Sequence, residues 1–274
     1  MSSALYSSQL RQELSARNRA YAERIGLPAC ESYGEAPVVC YLPAEDGLSH
    51  GNFLAESYRA IVNNPSWQKR LRKVHTQART ALPRNGHAWR ELDSSNSSDA
   101  LLMNIFCFPG ILARSAMANL LGIELVQPEF GVKARVPLAN GRFDRTEVDM
   151  RVGDLLVEAK LTESDFQSRE VNVLESYRDF SEAFDVLLLP RANGRYVSYQ
   201  LIRNVLAAYA NACSFCVMSD ARRPDLREAW YAVMRAVRPA EVRTRCKILT
   251  WQELARALPR KLQRFLDEKY GIVS

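Results

Sequence analysis

Two carboxylates and a lysine fall on what reads as a single tight hairpin. The stretch Thr146-Glu-Val-Asp-Met-Arg-Val-Gly-Asp-Leu-Leu-Val-Glu-Ala-Lys-Leu161 alternates apolar and polar residues on both sides of Gly153-Asp154. This predicts antiparallel strands over Thr146 to Val152 and Leu155 to Leu161, joined by a two-residue type II′ turn with Gly at its first position. Val152 then faces Leu155, and counting outward puts Arg151 opposite Leu156, Asp149 opposite Glu158 and Glu147 opposite Lys160. The other side, with Val148, Met150, Val152, Leu155, Val157 and Ala159, is apolar throughout and suits a packed helix. Directly opposed side chains start only about 5 Å apart, where like charges repel. Two compensations are open. A water-facing ribbon can rely on solvent and on the charges of Glu147, Arg151 and Lys160. Alternatively, the two carboxylates, a backbone carbonyl and waters form an oxygen site for Mg²⁺, which keeps much of its hydration and favours phosphate oxygens.

Other residues offer less chemistry. The six cysteines (30, 40, 107, 213, 216 and 246) are scattered, and only Cys213 and Cys216 form a CxxC, inside what reads as a buried strand, so reduced thiols are expected. His50, His75 and His87 lack ligand spacing and read as surface or loop residues. No GxxxxGK[ST] phosphate loop is present, which excludes ATP-driven translocation by this chain itself. The segment Trp67 to Arg90 holds seven Lys or Arg (69, 70, 72, 73, 79, 84 and 90), two Trp and no acid. Lys69, Arg70, Arg72 and Lys73 form its densest part and suit a polyanion through counterion release, with Trp67 or Trp89 available to stack on a base; a solvated helix face is the alternative.

The elements that must position these groups follow an order. Residues 1 to about 95 read as helical, with a periodic run over Ser8 to Ile25 and further helices beginning near Asn52 and Ser66. From residue 96 to 274 the pattern becomes that of an α/β domain. A helix is capped at Asn96 or Ser97 and runs to about Leu121, broken at Pro109-Gly110. A strand over Glu129 to Pro137 and a turn at Ala139-Asn140-Gly141 precede the hairpin. A helical region over Gln167 to Phe180, a strand at Val186 to Leu189, helix Ser198 to Asn211, strand Ser214 to Met218, helix Leu226 to Val237, strand Lys247 to Thr250 and helices to Lys269 complete the order. Composition agrees with a folded globular chain: 274 residues, 47% hydrophobic and 25% charged, with a net charge of +6. No stretch reaches the roughly 20 apolar residues of a membrane span, and the amino terminus lacks a signal-peptide pattern, so a cytoplasmic location is expected.

Asp149, followed on the next strand by Glu158-Ala159-Lys160, resembles the catalytic signature of the PD-(D/E)XK nuclease superfamily, in its restriction endonuclease-like branch. Three further fragments are similar to that branch: Asn96-Ser-Ser-Asp-Ala-Leu-Leu-Met-Asn104-Ile-Phe106 before the sheet, Lys160-Leu-Thr-Glu163-Ser-Asp-Phe166 after the motif, and Tyr199-Gln200-Leu-Ile-Arg203-Asn204 downstream. The resemblance covers about residues 96 to 250. It implies a restriction-endonuclease-like core, a mixed central sheet flanked by helices, behind a helical amino-terminal extension. It also implies a Mg²⁺-dependent nuclease acting on DNA, with Mn²⁺ able to substitute and RNA a further substrate class. Asp149, Glu158 and the main-chain carbonyl of Ala159 would bind the metal, Lys160 would hold the attacking water, Gln200 would join the catalytic set and Arg203 would face the nucleic acid. Many members carry an acid on the first core helix, whereas this sequence offers Asp99 at its start and Asn104 further in. Cutting two strands suggests a homodimer. The alternative is a nucleic-acid-binding module of the same fold without turnover.

Overall fold

The computed structural model describes residues 3–33, 37–45, 47–74, 82–83 and 86–273. Of the basic segment and the histidines, Arg79, Arg84 and His75 lie outside the described residues. The chain forms two compact units, one made of Ser7–Glu129 with Trp251–Ser274, the other of Met1–Tyr6 with Phe130–Thr250. The change of pattern at residue 95 therefore falls inside the first of these.

That unit contains helix α1 (Ser3–Ile25) from Ser7 onward, the hairpin of β1 (Ala29–Glu31) and β2 (Val39–Tyr41), and helices α2 (Ala55–Val62), α3 (Pro65–Gln68), α4 (Ser98–Phe106) and α5 (Ser115–Leu121). The helix expected near Asn52 starts three residues later, because the Asn52 amide donates to the carbonyls of Leu92 at 2.6 Å and Ser94 at 2.8 Å. Helix α4 begins where the Ser97 hydroxyl accepts the Ala100 N–H at 3.1 Å. It stops before Pro109-Gly110, with Gly110 in the left-handed region at φ 79°, and α5 resumes beyond. Asn104 is a structural bridge: its Oδ1 accepts the Leu54 N–H at 2.8 Å, and its Nδ2 donates to the carbonyls of Asn52 and Ala100. Helices α11 (Trp251–Ala255) and α12 (Arg260–Tyr270) complete the unit. Lys269 of α12 is fully buried and donates to Asn18 Oδ1 at 2.6 Å, with its Nζ 4.0 Å from the ring centre of Tyr41 and 4.8 Å from that of Tyr21. Burial holds its pKa well below the ordinary lysine value.

The other unit is built on a mixed five-stranded sheet, in the order β12-β11-β7-β6-β3, flanked by helices. Strand β3 (Glu129–Lys133) is cut short where Arg135 adopts φ 52°, so the strand expected to reach Pro137 continues as a separate β4 (Val136–Pro137) paired with β5 (Phe143–Asp144) around the expected turn. The central pair is β6 (Glu147–Val152) and β7 (Leu155–Ala159). The helix expected over Gln167 to Phe180 resolves into β8 (Ser168–Glu170), α6 (Val171–Glu175) and α7 (Phe180–Ala183). The strand expected at Val186 to Leu189 is a turn. Asp185 accepts the Leu187 N–H on its side chain and the Leu188 N–H on its carbonyl, both at 3.1 Å, and leaves Leu187 93% exposed. After β9 (Arg191–Ala192) and β10 (Arg195–Val197) comes α8 (Tyr199–Ala210), whose first N–H groups donate to the carbonyls of Gln167 and Phe166. Strand β11 (Ser214–Ser219) runs parallel to β7 and to β12 (Cys246–Thr250), with α9 (Pro224–Met234) and α10 (Ala240–Arg245) in the second crossover. Leu201, Ile202, Val205 and Leu206 of α8 share one core cluster with Leu156, Phe215 and Val217 of the sheet. Each such side chain contributes about 2 kcal/mol on burial. Among the described residues, no helix is long and apolar enough to cross a membrane.

Candidate metal centre

The turn between β6 and β7 has Gly153 at φ 59° and no positive φ at Asp154, as a type II′ turn requires. The register is the expected one, with Val152 opposite Leu155, Arg151 opposite Leu156 and Met150 opposite Val157. The ladder then ends. Asp149 and Glu158 are not paired in it; instead Asp149 Oδ2 accepts the Ala159 N–H at 2.8 Å. A carboxylate that would meet a like charge has taken a backbone donor. Val148, Met150, Val152, Leu155, Val157 and Ala159, the side read as apolar from the alternation, are all buried.

The solvent-facing alternative fails for the second carboxylate. Glu158 is 2% exposed and Lys160 4%, beneath α8. Glu158 Oε1 accepts from Lys160 Nζ at 2.8 Å, and Oε2 accepts from Asn204 Nδ2 at 2.9 Å. Burial alone would pull the Lys160 pKa down, but the charges of Glu158, Glu163 and Asp149 outweigh it and hold the ammonium above its ordinary value. Asp149 reaches the same segment through its bond to the Ala159 N–H. The loop that follows is fixed by Arg223, fully buried, which donates to the carbonyls of Leu161 at 3.2 Å, Glu163 at 2.7 Å and Ser164 at 3.1 Å and pairs with Asp225 at 2.8 Å.

Helix α8 carries the remaining expected residues. Gln200 is half-buried, and its Oε1 makes no hydrogen bond among the described residues. Arg203 is 1% exposed and donates from Nη2 to the Glu147 carbonyl at 2.9 Å, so it serves the hairpin rather than an exposed surface. Asn204, fully buried, is the residue that sequence reasoning passed over. Its signal was present, since Gln200 and Asn204 stand four apart and share a helix face.

Among the described residues, no group of three or more His, Cys, Asp or Glu could hold a metal. A cation at this hairpin therefore has two carboxylates, Asp149 and Glu158, and must complete its shell with backbone, water and substrate oxygens. That donor set is all oxygen, and Asn204 Nδ2 orients the Glu158 carboxylate from behind at 2.9 Å. The residues fit Mg²⁺ in chemistry and in number.

The expected nucleic-acid segment is divided. Lys69 and Arg72 are exposed, whereas Arg70 is buried against Asp99 at 2.7 Å, and Lys73 joins Asp99 at 3.1 Å and Glu91 at 3.0 Å. The acid-free stretch takes its counter-charges from Glu91 and from the first turn of α4. Trp89 is 6% exposed and donates to the Pro83 carbonyl, which removes it as a stacking platform, and Trp67 Nε1 donates to the Pro128 carbonyl. His50 is not a surface residue: it is buried against Asp93 at 3.2 Å, and burial lowers its pKa despite that partner. All six cysteines are free thiols.

A family model described as REase-ARP, Restriction Endonuclease associating with ARP, matches residues 18–271. No curated protein and no solved structure matches the chain.

Proposed function

The chain belongs to the REase-ARP family, restriction endonucleases associating with ARP, and from that premise we propose that it is a Mg²⁺-dependent deoxyribonuclease that hydrolyses phosphodiester bonds. The supporting observation is the buried Glu158–Lys160 pair at 2.8 Å, with Asp149 bonded to the N–H of the intervening Ala159 at 2.8 Å. Asp149, Glu158 and the Ala159 carbonyl would hold the ion. Bound there, it would supply a Lewis acid for the phosphate oxygens and lower the pKa of an attacking water. Three carboxylates favour the charged form of Lys160 in the metal-free chain. As an ammonium it is a hydrogen-bond donor, which would orient the water and offset negative charge growing on the phosphate. The unpaired Gln200 Oε1 offers an acceptor to the same water or to substrate. Lys69 and Arg72, both exposed, would contact backbone phosphates, while Arg70 and Lys73 hold Asp99. Cutting both strands of a duplex calls for two such sites, and a second copy of the chain would supply the other.

Incubation of the purified chain with supercoiled plasmid tests this reading. Nicked or linear product is expected with Mg²⁺ or Mn²⁺, and none with EDTA. Plasmid that is bound but intact with either metal would reduce the protein to a binding module of the same fold.

A further inference from the structure

The pairing of β6 with β7 stops at Met150 and Val157, short of both candidate metal ligands. Beyond that point Asp149 Oδ2 accepts the Ala159 N–H at 2.8 Å, and the two strands are held from above as well. Arg203 and Asn204 are adjacent on α8, and consecutive helical side chains diverge by about 100°, so neighbours on one turn reach different strands. Arg203 Nη2 takes the Glu147 carbonyl on β6 at 2.9 Å, and Asn204 Nδ2 takes the Glu158 carboxylate on β7 at 2.9 Å. Arg203 is 1% exposed and Asn204 fully buried. Yet Arg203 Nε and Nη1 and Asn204 Oδ1 make no hydrogen bond among the described residues. An unpaired buried polar atom loses its hydration with no hydrogen bond in return. Apolar side chains at both positions would avoid that cost, as they do at the neighbouring buried positions Leu201, Ile202, Val205 and Leu206, so packing does not account for this pair.

We propose that Arg203 and Asn204 form a clasp across the open end of the hairpin, and that it sets the spacing of Asp149 and Glu158 and thereby selects Mg²⁺ over a larger divalent cation such as Ca²⁺. The proposal rests on the metal centre proposed above. Mg²⁺ demands a near-ideal octahedron of oxygens at about 2.0–2.1 Å, whereas Ca²⁺ accepts irregular shells at about 2.3–2.6 Å. Carboxylates on strands tied to one helix cannot move apart to suit the larger ion. Loosening the tie therefore penalises Mg²⁺ and leaves Ca²⁺ little affected. Asn204 acts through Glu158 and is a positioning residue.

Calorimetric titration of the full chain with MgCl₂ and, separately, with CaCl₂ tests the clasp in wild type, Asn204→Ser and Arg203→Lys, with thermal melts reporting whether each variant folds. Asn204→Ser should raise the Mg²⁺ dissociation constant about tenfold, within the range seen when a partner behind a ligand is removed, with a much smaller change for Ca²⁺. The preference for Mg²⁺ would then narrow. Should Asn204→Ser fail to fold, Arg203→Lys, which keeps the charge and shortens the reach, should narrow it in the same sense. Equal shifts for the two ions, or none, would overturn the clasp while leaving the metal centre standing. A wild-type chain that binds neither ion would overturn the metal centre itself, and the clasp with it.

Discussion

Among the described residues two lysines are withdrawn from water, one in each compact unit, and their surroundings are opposite. Lys160 lies against Glu158 at 2.8 Å and within the field of Glu163 and Asp149, which hold its pKa up. Lys269 has the rings of Tyr21, Tyr41 and Tyr270 about it and the Asn18 amide oxygen at 2.6 Å, and burial alone moves its pKa, downward. Aromatic faces and one amide dipole stabilise an ammonium far less than adjacent carboxylates do. Equal burial therefore says little about what a lysine does. A charge kept beside acids, next to a helix with unpaired polar atoms, suits the ligand site proposed above, whereas one among tyrosines ties α12 to α1 and β2.

The sharpest way to break that contrast is to remove each amine in turn. Lys160→Ala should lower the rate of plasmid cleavage by about 10²–10³-fold, the usual loss when one preorganised donor is deleted, with DNA retained in gel-shift assays. Lys269→Met should leave the rate unchanged. A comparable loss from both would mean that Lys160 acts only through folding.

Stability measured by urea denaturation separates the two sites next. Glu158→Gln leaves Lys160 buried without its nearest counter-charge and should cost about 3 kcal/mol. Lys269→Met replaces a poorly compensated charge by an alkyl chain of similar length and should leave the unfolding free energy unchanged or raise it.

The smallest effect is a slope. An amine whose folded pKa lies below its unfolded value of about 10.4 binds fewer protons when folded, so stability is lost as pH falls and regained as pH rises toward that value. Between about pH 7 and 9, below the titration of tyrosine, the wild-type melting temperature should carry this upward contribution, and Lys269→Met should flatten it. Lys160, with its folded pKa raised, contributes fully throughout that window and loses its contribution only above the ordinary lysine range. Lys160→Ala should therefore keep the wild-type slope, and matching slopes in wild type and Lys269→Met would refute the assignment.

The hairpin was legible in the sequence because its determinants are local: a Gly at the first turn position and a two-residue alternation settle which residues pair near the turn. Burial of Glu158 was not legible, since the polar alternation of Glu147, Asp149 and Arg151 suits an open face equally well, and the cover comes from α8, which begins some forty residues later. Asn204 was readable in principle from its spacing to Gln200, but the hydrogen bond that gives it meaning is long-range. The acid-free run from Trp67 to Arg90 misled for a related reason. A segment with no internal counter-charge invites an external polyanion, yet Arg70 and Lys73 found theirs in Asp99 on another helix. The apolar run Val186 to Leu189 shows the reverse error, where one aspartate at the start of a stretch decided for a turn against its β-forming composition.

The tight reversal at Gly153 has a consequence for how the chain tolerates change in length. Because β7 is bonded along both edges, it cannot slide to absorb an extra residue. A single insertion or deletion between positions 153 and 158 would rotate the strand's remaining side chains by half a turn, presenting an alkyl group where the acid belongs. The interval from Asp149 to Lys160 thus works as a gauge cut to one length, while additions at surface loops such as the one bearing Leu187 leave the chemistry untouched.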